Sequence, residues 1–327
     1  MTPNLTEATV KAAIAAIDSE TSTTVEKIEM LIEMAMDLQK KPREVEQLRS
    51  AVELYLHAIE LCGEERLVLR ARAFVGLATA LRSIPDEGDD LLVEAKRLYE
   101  AALPILREHT SPEEIAEAEM NLGLVLQSLV PFGKARMADS IQAYQRALRV
   151  FTGAAFPQEY AILQNNLAIA YLSMPVSTGG SDLRQAMAVQ TFEQALQWVT
   201  LTDHPVEYAM LQNNLGNALQ YMPSAHTVEN NYRAIAAYDE ALKVRTARDM
   251  PLEYANTLAN KANALSNLPD DAAHPEQGNT QNLYQAIALY REAESIFLEH
   301  GQIEQAQTVI RAIEELEAEL EGLGETQ

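Results

Sequence analysis

Four times in this chain an Asn stands seven residues after the Glu of a Glu–Tyr–Ala or Glu–Ile–Ala step. The steps begin at Glu114, Glu159, Glu207 and Glu253, and the asparagines are Asn121, Asn166, Asn214 and Asn260. The intervals between them are 45, 48 and 46 residues. A period in that range belongs to solenoids built from stacked helix pairs, because each unit can bury its apolar face only against its neighbours. The repeat therefore moves the functional question from which group catalyses to which surface binds.

A second motif interleaves with the first. It reads Ala51/Tyr55/Ala58, Ala95/Tyr99/Ala102, Ser140/Tyr144/Ala147, Ala188/Phe192/Ala195, Ala234/Tyr238/Ala241 and Ala286/Tyr290/Ala293. Spacing of i, i+4, i+7 places the three residues on one helical stripe. Small residues let a neighbouring helix come close, and the aromatic fills the space between layers. Each unit is then a helix A with the Asn phrase, a loop, and a helix B with the small/aromatic stripe.

Helix A is expected over 66–83, 112–129, 158–173, 205–221 and 252–267. Helix B is expected over 43–61, 88–106, 137–151, 182–200, 229–246 and 281–299. Pro85, Pro131, Pro175, Pro223 and Pro269 follow the A helices and stop them. Ser111-Pro112 reads as a cap and first-turn proline, and Pro157, Pro205 and Pro251 repeat the proline. The loop from Asp270 to Thr280 is the longest and is expected to be the most mobile, with Val176 to Asp182 also rich in loop residues. The domain expectation is a helical cap over 1–22, a solenoid over 23–299, a capping helix over 300–320 and a flexible tail over 321–327. The capping helix pairs an apolar stripe (Ile303, Ala306, Ile310, Ile313) with a face of glutamates.

Charge narrows the partners. Formal net charge is −23, from 48 acidic and 25 basic residues. That excess argues against nucleic acid and against anionic membrane surfaces, both of which need clustered Lys and Arg. The lone Cys62 allows no internal disulfide and reads as an apolar filler. With no secretory signal and no spanning apolar run, a cytoplasmic location is expected. The histidines form no ligand pair, Gly179-Gly180 is followed by no Lys, and no nucleophile stands beside a base. No metal, cofactor or enzymatic activity is expected.

Leu215-Gly216 with Ala234/Tyr238/Ala241 resembles the tetratricopeptide repeat family, and Leu122-Gly123 and Leu167-Ala168 with their partners match it nearly as well. The resemblance covers roughly residues 23–320. It implies an all-α, right-handed α-solenoid of about six repeats of 45–50 residues, of the long type common in bacterial multi-repeat proteins. The family's basic unit is about 34 residues; part of the excess here is the 18-residue step from Gly216 to Ala234.

The Asn–Asn–Leu phrase is similar to one in kinesin light chain repeats, where asparagines grip the backbone of an extended peptide. On that likeness Asn166, Asn214 and Asn260 would grip a partner segment, flanked by Asn165, Asn213, Asn217 and Asn263, with Asn121 as the weaker copy. A side-chain amide donates and accepts at once, so it suits a peptide group of any sequence. The same asparagines have a second reading as pins between stacked repeats. Tyr160, Tyr208 and Tyr254 are expected to pack on the preceding helix B. Tyr171 and Tyr221, late in helix A, are candidate exposed anchors. Trp198 is expected to pack at a repeat junction.

The functional expectation is an adaptor or scaffold that binds a peptide or helical segment of another protein, with a basic or partly disordered segment as the partner. The alternatives are a self-assembling structural subunit that forms a homo-oligomer, and a sensor of a small ligand or signal peptide.

Overall fold

In a computed structural model the described residues are 7–19, 21–86, 88–174, 181–222 and 226–324. Pro175, Pro223 and most of the loop Val176–Asp182 lie outside them. The architecture is an all-α solenoid arrangement, with each helix packed chiefly on its neighbours in sequence. The chain forms two compact units, residues 1–151 and 152–327.

In the first unit α1 (Glu7–Ser19) leans on the pair α2 (Thr24–Lys40) and α3 (Val45–Cys62). The pairs α4 (Leu67–Ser83)/α5 (Asp90–His109) and α6 (Pro112–Leu129)/α7 (Met137–Ala147) follow. The second unit holds α8 (Pro157–Leu172)/α9 (Ser181–Ala195), α10 (Pro205–Gln220)/α11 (Thr227–Leu242) and α12 (Pro251–Ser266)/α13 (Thr280–Glu299). The helix α14 (Ile303–Gly324) packs on α13 through buried Ala306, Val309 and Ile313. A helix A therefore begins each of these pairs, as the two interleaved motifs require.

The stripe on helix B works by close approach. A methyl group at Gly123 of α6 would lie 2.4 Å from the Tyr144 ring of α7, and one at Gly216 of α10 would lie 2.5 Å from the Tyr238 ring of α11. Both rings are fully buried. Tyr55 departs from this pattern: its ring reaches Gly76 of the following pair, where a methyl group would sit 2.3 Å away. Trp198, which follows α9 and is 45% exposed, lies on Gly153 in the segment before α8, where a methyl group would sit 2.3 Å from its ring.

Polar residues pin further helices. Glu119 of α6 is only 2% exposed. Arg107 of α5 donates to it at 2.6 Å and Arg146 of α7 at 2.7 Å, so one carboxylate ties three helices. A buried carboxylate without those cations would carry a desolvation cost with nothing to offset it.

Helices α7, α9 and α11 stop about one turn short of the expected ends. The chain tightens there: Val150 N–H bonds Ala147 C=O at 3.0 Å, and Val244 N–H bonds Ala241 C=O at 3.1 Å, three residues back rather than four. A threonine then shapes the connection to the next helix A. Thr200 Oγ1 donates to Asp203 Oδ2 at 2.8 Å and accepts from Asp203 N–H at 3.1 Å, and Thr246 and Asp249 repeat the pair at 2.9 and 3.0 Å. The loop Asp270–Thr280 carries its own bonds. Asp270 accepts from the N–H groups of Gln281 and Asn282, each at 2.8 Å, and so caps the start of α13.

Replacing Gly216 by Ala tests the close approach. Helix propensity alone would favour Ala by about 1 kcal/mol. Overpacking against Tyr238 costs about 1–3 kcal/mol. The net expectation is a destabilised chain in urea unfolding; a stabilised one would show that the ring yields freely.

Candidate functional site

The repeated asparagines meet one another. Asn260 of α12 donates to Asn213 Oδ1 of α10 at 3.3 Å. Asn213 Nδ2 donates to Asn214 Oδ1 at 3.1 Å, and Asn214 Nδ2 donates to Asn165 Oδ1 of α8 at 2.7 Å. Asn165 Nδ2 ends the series on Asn166 Oδ1 at 3.4 Å. Five amides thus run head to tail across three successive A helices of the second unit. Asn165 and Asn213 are buried, and Asn166, Asn214 and Asn260 are half-buried.

This geometry accounts for the doubled Asn. On the middle helix α10 one amide must accept from the following repeat while another donates to the preceding one. Amides in series polarise one another, so the chain is worth more than isolated bonds. At α12 the series begins, and a single Asn suffices. There Ala259 takes the first position, and Lys261, at the position of the Leu, bonds Asp239 of α11 at 2.5 Å.

The other candidates in this unit also have partners inside it. The Tyr238 hydroxyl lies 2.7 Å from Asn217 Oδ1 and 2.9 Å from Gln220 Oε1. Asn263 Nδ2 donates to the Tyr221 hydroxyl at 2.9 Å. Tyr221 remains 64% exposed, whereas Tyr171 is half-buried against the core. Tyr208 and Tyr254 differ from expectation in their direction. Their hydroxyls donate to Glu240 at 2.9 Å and Glu292 at 2.8 Å, on the helix B that follows in the same pair. In the first unit, Asn121 turns its amide back onto Glu117 C=O at 3.1 Å.

The first unit carries a different arrangement on its A helices. Side chains of α2, α4 and α6 converge on a cleft of about 340 Å³. Its apolar surface comes from Ile32, Met36, Val75, Leu106 and Ala118. Arg72 of α4 forks onto Glu114 of α6, with Nε–Oε1 at 2.8 Å and Nη2–Oε2 at 3.0 Å. Asn121 lines the same cleft.

Two polar atoms in this lining have no hydrogen-bond partner: the Tyr55 hydroxyl and Gln39 Oε1, both buried. Three of the corresponding hydroxyls, those of Tyr99, Tyr144 and Tyr238, are bonded. The Tyr99 hydroxyl lies 2.7 Å from Thr79 Oγ1, and Tyr144 donates to Gln127 Oε1 at 2.9 Å. Burial pushes the Tyr99 and Tyr144 hydroxyls up to about 12 and raises that of Tyr55 further. All three keep their protons at neutral pH and are donors. Leaving a buried donor or acceptor unbonded costs roughly 1–3 kcal/mol, so the pair at Tyr55 and Gln39 is the unusual feature of this surface. No residue pattern signals it, because Tyr55 carries the same stripe as its counterparts.

The amide chain has a measurable signature. Asn165→Ala and Asn214→Ala are each expected to lower the unfolding free energy by about 1–3 kcal/mol. Together they should cost less than the sum of the two by about 1 kcal/mol, since both remove the same bond. A strictly additive pair in denaturant titrations would mean that the two amides do not interact.

Comparison with known proteins adds the following. No family model matches the chain, and no curated protein matches it. Among solved structures it is similar to BtubC (BKLC) from P. vanneervenii, at 19% identity, covering 90% of this chain and 92% of that one, with a TM-score of 0.46. It is also similar to the TPR2AB domain of yeast Sti1, solved as a complex with pHSP90, at 15% identity, covering 89% and 99%, with a TM-score of 0.30.

Proposed function

We propose that the chain is a repeat scaffold that binds a segment of another protein on the A-helix face. The observation that carries this reading is the cleft of the first unit, where three successive A helices bring apolar side chains and unbonded polar atoms to one place. A concave, mostly apolar surface with a few convergent polar groups is the usual form of a binding site. The ten sequence candidates divide on this view. Asn121 lines the docking face, whereas Asn165, Asn166, Asn213, Asn214, Asn217, Asn260 and Asn263 serve first to hold the second unit together. Tyr221, exposed at the end of α10, stays available as an aromatic contact, and the half-buried Tyr171 is less so.

Self-assembly is the competing reading, and the bonded amides of the second unit fit it. The terminal helix does not: α14 turns Ala306, Val309 and Ile313 inward and leaves Glu304, Glu314 and Glu319 exposed, with Ile303 at its start the one member of the expected stripe that is exposed. Among the described residues no helix is long and apolar enough to cross a membrane, and no three His, Cys, Asp or Glu side chains gather as a metal site.

A photo-crosslinking residue at Met36, which lines the cleft and is 42% exposed, separates the two readings. With a displayed peptide library, the expected products are peptide adducts on a chain that sediments as a monomer. No selected peptide, or crosslinks only between copies of the chain, would overturn the scaffold reading in favour of assembly.

A further inference from the structure

The cleft of the first unit has an acidic rim. Together with an adjoining cleft that shares Ile32 and Arg72, its lining includes Glu26, Glu29 and Glu33 of α2 and Glu114 and Glu117 of α6. The one cation in either lining is Arg72, already engaged with Glu114. Below the rim lies the apolar surface of Ile32, Val75 and Ala118. Among these groups stand the two buried polar atoms without partners. Gln39 Oε1 can only accept, and the Tyr55 hydroxyl can donate as well as accept.

We infer that this cleft takes a short extended stretch of polypeptide in which an apolar residue is flanked by Lys or Arg. The inference rests on the scaffold reading and names its partner. The apolar side chain covers Ile32 and Val75. The cations meet Glu29 and Glu33, where attraction to a rim of one sign raises the encounter rate and rejects acidic sequences. The main chain supplies what the unbonded atoms lack: a peptide N–H for Gln39 Oε1 and a peptide C=O for the Tyr55 hydroxyl. Met36 is unbranched and partly exposed, so it can shift as the segment enters. An acidic segment or a free carboxylate would meet like charge at the rim with no unengaged cation in the lining. The amide series of the second unit offers no such combination, because its groups bond one another.

The composition of the peptides selected on the full-length chain is the first readout, and Lys or Arg on both sides of an apolar residue is the expected pattern. The second readout is fluorescence anisotropy with the end-capped peptides Ala-Lys-Ala-Leu-Ala-Lys-Ala and Ala-Glu-Ala-Leu-Ala-Glu-Ala. The Lys peptide should bind at least about tenfold more tightly, and added salt should narrow the gap. The double variant Glu29→Lys/Glu33→Lys should weaken the Lys peptide about tenfold and improve the Glu peptide. Gln39→Leu, and methylation of the peptide's leucine nitrogen, should each weaken binding about fivefold or more with the fold intact by circular dichroism. Equal affinity for the two peptides, or affinity unchanged in these variants, overturns the inference. If library peptides bind but are acidic, or bind without crosslinking at Met36, the inference fails while the scaffold reading stands. If no library peptide binds at all, both fail.

Discussion

The aromatic ring on helix B has to lie against helix backbone, and its hydroxyl then has to find a partner in a place that water does not reach. That requirement organises the rest of the molecule. In two pairs the ring lies on a residue without a side chain, Gly123 under Tyr144 and Gly216 under Tyr238. The hydroxyl needs an acceptor further along helix A, which fixes Gln127 for Tyr144 and Asn217 with Gln220 for Tyr238. The polar residues of helix A are thereby committed to the interior in most of the stack. Where the ring crosses to the following pair, as Tyr55 does at Gly76, the commitment lapses and the A-helix face keeps unbonded polar atoms.

The two units therefore use the same repeat differently. In the second, amides link α8, α10 and α12 into one bonded series, and the face that the sequence marked most strongly for peptide contact is largely occupied with stacking. In the first, the A helices carry fewer asparagines and instead bring Ile32, Met36 and Val75 to a cleft with glutamates at its edge. On the proposed reading, binding falls to the first unit, while the amides of the second are spent on stacking.

The helix order, the pairing and the buried tyrosines were legible because a small/aromatic/small stripe has one structural use. The ends of α7, α9 and α11 were not. Phe151 and Val199 stay buried after the backbone has left the helix, so apolar periodicity runs past the true end. The threonine that closes those turns was visible as Thr-x-x-Asp-x-Pro at Thr200 and Thr246, but only repetition marks it as a cap. Nothing in the sequence marks Glu119, because its burial depends on arginines from the helices before and after. The amide series was legible as a repeat of polar residues, but whether an amide bonds a partner or the next helix depends on side-chain reach. The unbonded Tyr55 was hidden altogether, since it arises from which glycine the ring selects.

Thermal unfolding of single Tyr→Phe variants tests this account most directly, because the change removes one oxygen and keeps the ring. Tyr99→Phe, Tyr144→Phe and Tyr238→Phe should each lose about 1 kcal/mol, the worth of a hydrogen bond whose partner is then left alone. Tyr55→Phe should be neutral or stabilising, since its hydroxyl has no partner to lose. A loss at Tyr55 as large as at the other three would mean that its hydroxyl is bonded within the fold, and would contradict the account.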